Sequence, residues 1–151
     1  MALIEEDLIL LDTQATDRND ALSQVAEHLH KDGFVKASYR EAIINREANF
    51  PTGLQTATIG VAIPHTDAEH VNTAKIAVAR LQQPVTFEQM GDGQPVAVEM
   101  IFMLALKEPH AQLTMLQNLM TMFQNTEVMN QLIHAQTPTA VLVILNENSI
   151  K

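Results

Sequence analysis

The sequence predicts an α/β fold: a three-layer α/β/α sandwich with a mixed central sheet, in a single domain over residues 1–151. Three observations predict it. Segments with apolar residues at helical spacing bracket short apolar runs of strand length. One run, "VAVEMIFMLALK", is almost unbroken, with Glu99 alone interrupting, as a strand covered on both faces requires. The length of 151 residues suits one domain. A chain of that size buries roughly 68–70% of its unfolded surface without disulfides or metals.

Taken in order, "LILLD" predicts a first strand. "DRNDALSQVAEHLHKDG" predicts a helix capped by Asp17, striped by Leu22, Val25, Ala26 and Leu29, and ended by Gly33. A second helix is expected from Ser38, where Ser38 and Glu41 fit a capping box. Tyr39, Ile43, Arg46 and Phe50 share one face of it. "FPTG" breaks that helix at Pro51. "ATIGVAI", "KIAVARL" and a short "PVTF" predict three strands, and "MGDGQP" a turn before the central strand. Leu113, Leu116, Met120 and Phe123 stripe one later helix, and Val128, Met129, Leu132 and Ile133 another. Thr137 and Pro138 form an N-cap with proline at the first helical position. "AVLVIL" after them fits helix or strand equally.

Composition excludes several functions. Nine basic residues face 18 acidic ones, a net charge of −9 that repels nucleic-acid phosphates and anionic membranes. The N-terminal "MALIEEDLILLD" carries acids where a secretion signal needs bases. The apolar run Met100 to Leu106 is too short to span a bilayer. A cytoplasmic protein is the expectation. Without cysteine there is no thiolate nucleophile or thiolate metal site. No phosphate-binding P-loop occurs, and Ser23, Ser38 and Ser149 lie in no nucleophile elbow. No cofactor is expected.

Six histidines remain. His28, His30 and His70 sit in polar surroundings, and His134 lies near a helix end. His65 and His110 each follow the C-terminal end of an apolar strand, where ligands bind in open α/β sheets. In "GVAIPHT", Pro64 stiffens the entry to His65, while Gly60 and Ala62 are small enough for a partner surface to approach. His110 follows Pro109 at an expected helix start, a place that attracts anions. Arg46 on an apolar helix face either snorkels to water or points into a cleft to meet an anion. Imidazole is itself a nucleophile. A second histidine and a guanidinium suit a transferring phosphoryl group.

The "GVAIPH" motif resembles the active-site motif of the fructose–mannitol type enzyme IIA domains of the bacterial phosphotransferase system. Arg46, within "INREANFPTG", stands 19 residues before His65, and His110, within "KEPHAQL", 45 after it, in the family's order. The resemblance covers nearly the whole chain. It implies that His65 accepts phosphate from the phosphohistidine of HPr. His65 then passes it to a cysteine on enzyme IIB, and the sugar carried by the membrane enzyme IIC, an indirect partner, is finally phosphorylated during import. It also implies that His110 hydrogen-bonds the phosphoryl group and that Arg46 contacts it. Thr66 departs from the usual small residue after the histidine and is an auxiliary phosphate ligand or a neutral change. "REANFPTG" is similar to galactitol-type members, which points to galactitol as the sugar, with fructose or another hexitol as the alternative. Two alternatives stand beside this reading. One is a regulatory module switched by phosphorylation of His65. The other is a metal-dependent enzyme using His65, Asp67, His70 and His110.

Overall fold

Alternation along the two longest strands divides the core into two faces, and the helices pack on both. The computed structural model describes residues 2–151. In chain order the elements are β1 (Ile9–Thr13), α1 (Arg18–Lys31), α2 (Tyr39–Asn49), β2 (Gly53–Gln55), β3 (Gly60–Ala62), β4 (Lys75–Glu88), β5 (Pro95–Ala105), α3 (Pro109–Phe123), α4 (Thr126–His134) and α5 (Pro138–Glu147). Single 3-10 turns cover Glu6–Leu8 and Ala68–His70.

The sheet has the order β1-β4-β5-β3-β2. The β1/β4 and β3/β5 pairs are parallel, and β4/β5 and β2/β3 are antiparallel, so the sheet is mixed as expected. Ala77, Ala79, Ile101 and Met103 point to α1 and α2, joining Leu22, Val25, Leu29, Tyr39 and Ile43 in one apolar cluster. Their neighbours Ile76, Val78, Met100, Phe102 and Leu104 point the other way, to Met115, Leu119, Phe123, Leu132, Val141 and Leu145. β5 supplies buried side chains to both faces from the middle of the sheet, which is why its sequence is so uniformly apolar.

Several local expectations hold. Asp17 caps α1 by accepting from the Asp20 amide, and Thr137 caps α5 by accepting from the Ala140 amide. Gly33 has φ 77°, the left-handed turn that ends α1. "AVLVIL" is helix, because its cap and Pro138 commit the backbone before any strand partner is reached.

Others are corrected. "KIAVARL" and "PVTF" belong to one strand of 14 residues, β4, whose pairing with β5 shifts register between Arg80 and Val85. The bulge exposes Gln82, Gln83 and Pro84, which breaks the apolar pattern without ending the strand. "ATIGVAI" contributes only Gly60–Ala62 as strand, and the unpredicted β2 pairs with it as a hairpin. The buried stripe of α3 is Met115, Leu119, Met122 and Phe123, with Leu113 at 54% exposure. Ser38 makes no capping bond, because its own backbone is already helical, at φ −70° and ψ −15°. Its hydroxyl lies 2.8 Å from His70 Nδ1 instead. Lys75, unremarked in sequence, is fully buried and ties down the chain start through the Ala2 carbonyl at 2.8 Å and Glu5 at 3.3 Å.

Gly60 is small for the sake of the sheet and not for a visiting surface. A Cβ there would lie 2.2 Å from the Ala97 carbonyl oxygen and 2.7 Å from Val96 Cγ1. Ala62 is likewise enclosed in the core beneath α1 and α2. Gly60→Ala is therefore expected to push β3 off β5 and cost about 1–3 kcal/mol, the usual range for overpacking. A lowered midpoint in urea unfolding checks this, and an unchanged midpoint contradicts the close packing of β3.

Candidate active site

The strand that carries His65 continues past its last ladder residue. Leu104 donates its amide to the Pro64 carbonyl at 2.9 Å, and His65 itself bridges to Leu104. Pro64 has no amide hydrogen to offer, so the segment is held by its carbonyl alone. The His65 ring then turns back on its own chain, with Nδ1 2.8 Å from the Ile63 carbonyl. A carbonyl only accepts, so Nδ1 carries the proton and Nε2 is left with its lone pair. Burial pushes the pKa of this half-buried ring below the ordinary histidine value. The bond to Ile63 opposes that shift, and the nearby Arg46 charge adds to it. Neutral imidazole with a free Nε2 is the nucleophilic form.

Arg46 lies in the last turn of α2. Its guanidinium sits 4.8 Å above the Phe50 ring, and one terminal nitrogen is 3.8 Å from Asp67 Oδ1. Its Nε is buried and has no hydrogen-bond partner among the described residues. The head group is thus held between Phe50 and Asp67, close enough to His65 for its charge to disfavour protonation of that ring. The four-residue apolar stripe is corrected here: Tyr39 and Ile43 are buried, but Phe50 is 62% exposed. The third buried member of that face is Glu47.

Glu47 does structural work that its sequence position concealed. Its carboxylate accepts from the Thr52 amide at 2.7 Å and from the Thr52 hydroxyl at 2.7 Å. The Thr52 hydroxyl oxygen in turn accepts from the Ile63 amide at 3.2 Å. Ile63 is the residue whose carbonyl holds the His65 ring. Burial pushes the Glu47 carboxyl up, and its two Thr52 bonds pull it back down. At the other end of α2, the buried Tyr39 hydroxyl donates to the Leu104 carbonyl at 2.8 Å. Leu104 thus fixes α2 through its oxygen and Pro64 through its nitrogen. The helix bearing Arg46 is pinned at both ends to the backbone that bears His65. Glu47 and Thr52 were detectable in principle, since Glu47 follows Tyr39 and Ile43 at intervals of four, on the buried face.

A cleft of about 220 Å³ opens beside His65, lined by Arg46, Thr66, Asp67, Lys107, Glu108 and Gln112 among others. Thr66 is buried at its wall. His110 is the second residue of α3, after Pro109 as expected, and is exposed. Its neighbours Pro109 and Gln112 line the cleft, and its own ring does not. Arg46 and Thr66 thus share the cleft, His65 stands next to Thr66 in the chain with its ring outside the cleft lining, and His110 lies at the adjoining helix start. Among the described residues, no three His, Asp or Glu side chains converge as a metal site, so the metal-dependent alternative has no ligand set. His70 is engaged by Ser38 and by Glu69 at 3.8 Å.

Two outcomes follow. The His65 titration, read from its ring resonances, is expected to have a midpoint below the ordinary value of about 6.5. Arg46→Met should raise that midpoint, yet leave it depressed, because burial is the larger cause. A depressed folded pKa means the unfolded chain takes up more protons in the window just below about 6.5, so His65 costs stability as pH falls through it. Thr52→Val, which keeps the shape and deletes the hydroxyl, should cost about 1–3 kcal/mol in chemical denaturation.

Comparison with known proteins agrees with this geometry. The family model described as the phosphoenolpyruvate-dependent sugar phosphotransferase system, EIIA 2, matches residues 2–148. The galactitol-specific EIIA component of the phosphotransferase system of Escherichia coli (strain K12) is 32% identical over 117 residues, 78% of each chain. The crystal structure of nitrogen regulatory protein IIA-Ntr from Neisseria meningitidis superposes with TM-score 0.77 at 25% identity, over 95% of this chain and 96% of that one. Enzyme IIAMTL in its complex with phosphorylated enzyme IIBMTL from Escherichia coli shares the fold, with TM-score 0.77 at 22% identity over 96% and 99% of the two chains. With five helices around a five-stranded mixed sheet and His65 at the end of "GVAIPH", the chain belongs to the type 2 enzyme IIA family of phosphotransferases of the phosphoenolpyruvate-dependent sugar phosphotransferase system.

Proposed function

We propose that the chain, working as one IIA domain over residues 1–151, carries a phosphoryl group on His65 Nε2, from HPr to enzyme IIB. The observation that carries this reading is the Nδ1–Ile63 carbonyl bond, which leaves Nε2 unprotonated and free to attack. In the step, the Nε2 lone pair forms a bond to phosphorus in line with the donor nitrogen. The old phosphorus–nitrogen bond breaks, and its electron pair stays on the donor imidazole. The new phosphohistidine ring keeps its Nδ1 proton, so its bond to Ile63 becomes charge-assisted and stronger. Arg46 stabilises the equatorial oxygens through the terminal N–H groups of its partly exposed guanidinium, which lines the cleft. His110 hydrogen-bonds the phosphoryl group from the start of α3, and the Thr66 hydroxyl is an auxiliary donor from the cleft wall.

The acceptor is a IIB cysteine, and the complex of a fold relative with phosphorylated IIB supports the IIB partner. The phosphoryl group then passes from IIB to the sugar carried by the membrane enzyme IIC. Galactitol is the sugar favoured by the 32% identical relative. A cytoplasmic location accords with donors and acceptors of this kind. The likeness to a nitrogen regulatory IIA favours one second reading, in which phosphorylated His65 controls a partner protein.

Incubation with phosphoenolpyruvate, enzyme I and HPr should place acid-labile phosphate on the chain, and His65→Ala should abolish it. Arg46→Ala should slow the transfer about tenfold to a hundredfold, as expected for one lost charged hydrogen bond. Phosphate retained by His65→Ala overturns the mechanism. Phosphate that forms on His65 but never reaches a galactitol-type IIB overturns the transport role in favour of the regulatory one.

A further inference from the structure

Phe50 closes α2 as its C-cap, yet 62% of its surface meets solvent. Core packing does not explain so large an apolar ring there. Its backbone is nonetheless rigidly set. Its amide donates to the Arg46 carbonyl at 2.7 Å, Pro51 restricts it from behind, and Thr52 is clamped by Glu47. The backbone that carries the ring is therefore fixed, and the guanidinium of Arg46, four residues earlier, lies over the ring at 4.8 Å from its centroid.

We propose that Phe50 is a positioning residue for Arg46, a shelf that holds the guanidinium by its flat face and leaves its N–H edge free for phosphoryl oxygens. The proposal rests on the phosphoryl-transfer reading above. An aromatic ring attracts the cation through its face and takes no hydrogen bond from it. A carboxylate in the same place would bind the N–H edge in bidentate fashion and compete with the phosphoryl group. The one carboxylate paired with Arg46, that of Asp67, stands at 3.8 Å, too far to consume a donor. Arg46 is thus charge-balanced by Asp67 and set against Phe50, with its side chain 37% exposed and its terminal N–H groups unconsumed by the carboxylate. That is the state a phosphoryl clamp needs before its ligand arrives.

The test uses the full chain and two donors: phospho-HPr, and phosphoramidate, which is too small to depend on a docking surface. With phosphoramidate, the phosphorus–nitrogen bond breaks, ammonia leaves, and the phosphoryl group forms its bond to His65 Nε2. Phe50→Leu and Phe50→Ala should lower the maximal rate about fivefold to twentyfold with both donors, while Phe50→Tyr stays within about twofold of wild type. In an Arg46→Met background, Phe50→Ala should have no further effect. Thermal unfolding should be unchanged, since the ring is outside the core. Three results overturn the proposal: a Phe50→Ala chain as fast as wild type, an equal loss in the Arg46→Met background, or a loss confined to phospho-HPr through a raised KM. That last result would make Phe50 a docking contact. A wild-type chain phosphorylated by neither donor overturns the transfer reading itself.

Discussion

A carboxylate that is 2% exposed holds the site together. Glu47 reaches from the buried face of α2 to both polar groups of Thr52, and Thr52 passes the connection to the Ile63 amide. Without it, the Thr52 amide would be left unpaired inside the protein, at a cost of about 1–3 kcal/mol, and the Thr52 hydroxyl would lose its acceptor. With it, the turn after α2, the β2–β3 hairpin and the segment Ile63–His65 become one rigid piece. The distance between Arg46 and His65 then follows from covalent geometry and five short hydrogen bonds, not from any direct bond between the two side chains.

The electrostatics follow from that arrangement. Burial and, after it, the Arg46 charge both disfavour a charge on His65, so the ring is held in its neutral form near physiological pH. The bond from Nδ1 to Ile63 decides which nitrogen is exposed. The acidic total of −9 imposes no penalty locally, because Arg46 and Lys107 face the cleft opposite Asp67 and Glu108.

Much of the fold was legible in the sequence because its signals are local. The caps of α1 and α5, the turn at Gly33 and the unbroken apolar run of β5 each depend on a few neighbouring residues. The failures share a cause as well. The bulge in β4 and the hairpin strand β2 exist only because a partner strand is present to pair with them. Ser38 lost its capping role to His70, which is 32 residues away. The stripe of α3 was misplaced because Leu113 and Met115 are equally apolar, and only the position of the sheet decides which one is covered.

For the site, the sequence by itself determined the chemical inventory and its order. An imidazole stands at a proline-stiffened strand end, a guanidinium near the end of the second helix and another imidazole at a helix start. Those placements are set by short-range backbone preferences, which is why they could be read. The tertiary structure alone decided that Glu47 and Thr52 are buried partners, that Gly60 yields to the Ala97 carbonyl, and that Phe50 lies beneath Arg46 outside the core. It alone also assigned the free lone pair to Nε2. Each of these is a contact or an orientation in space, and residue order constrains such features only after the sheet has brought the segments together.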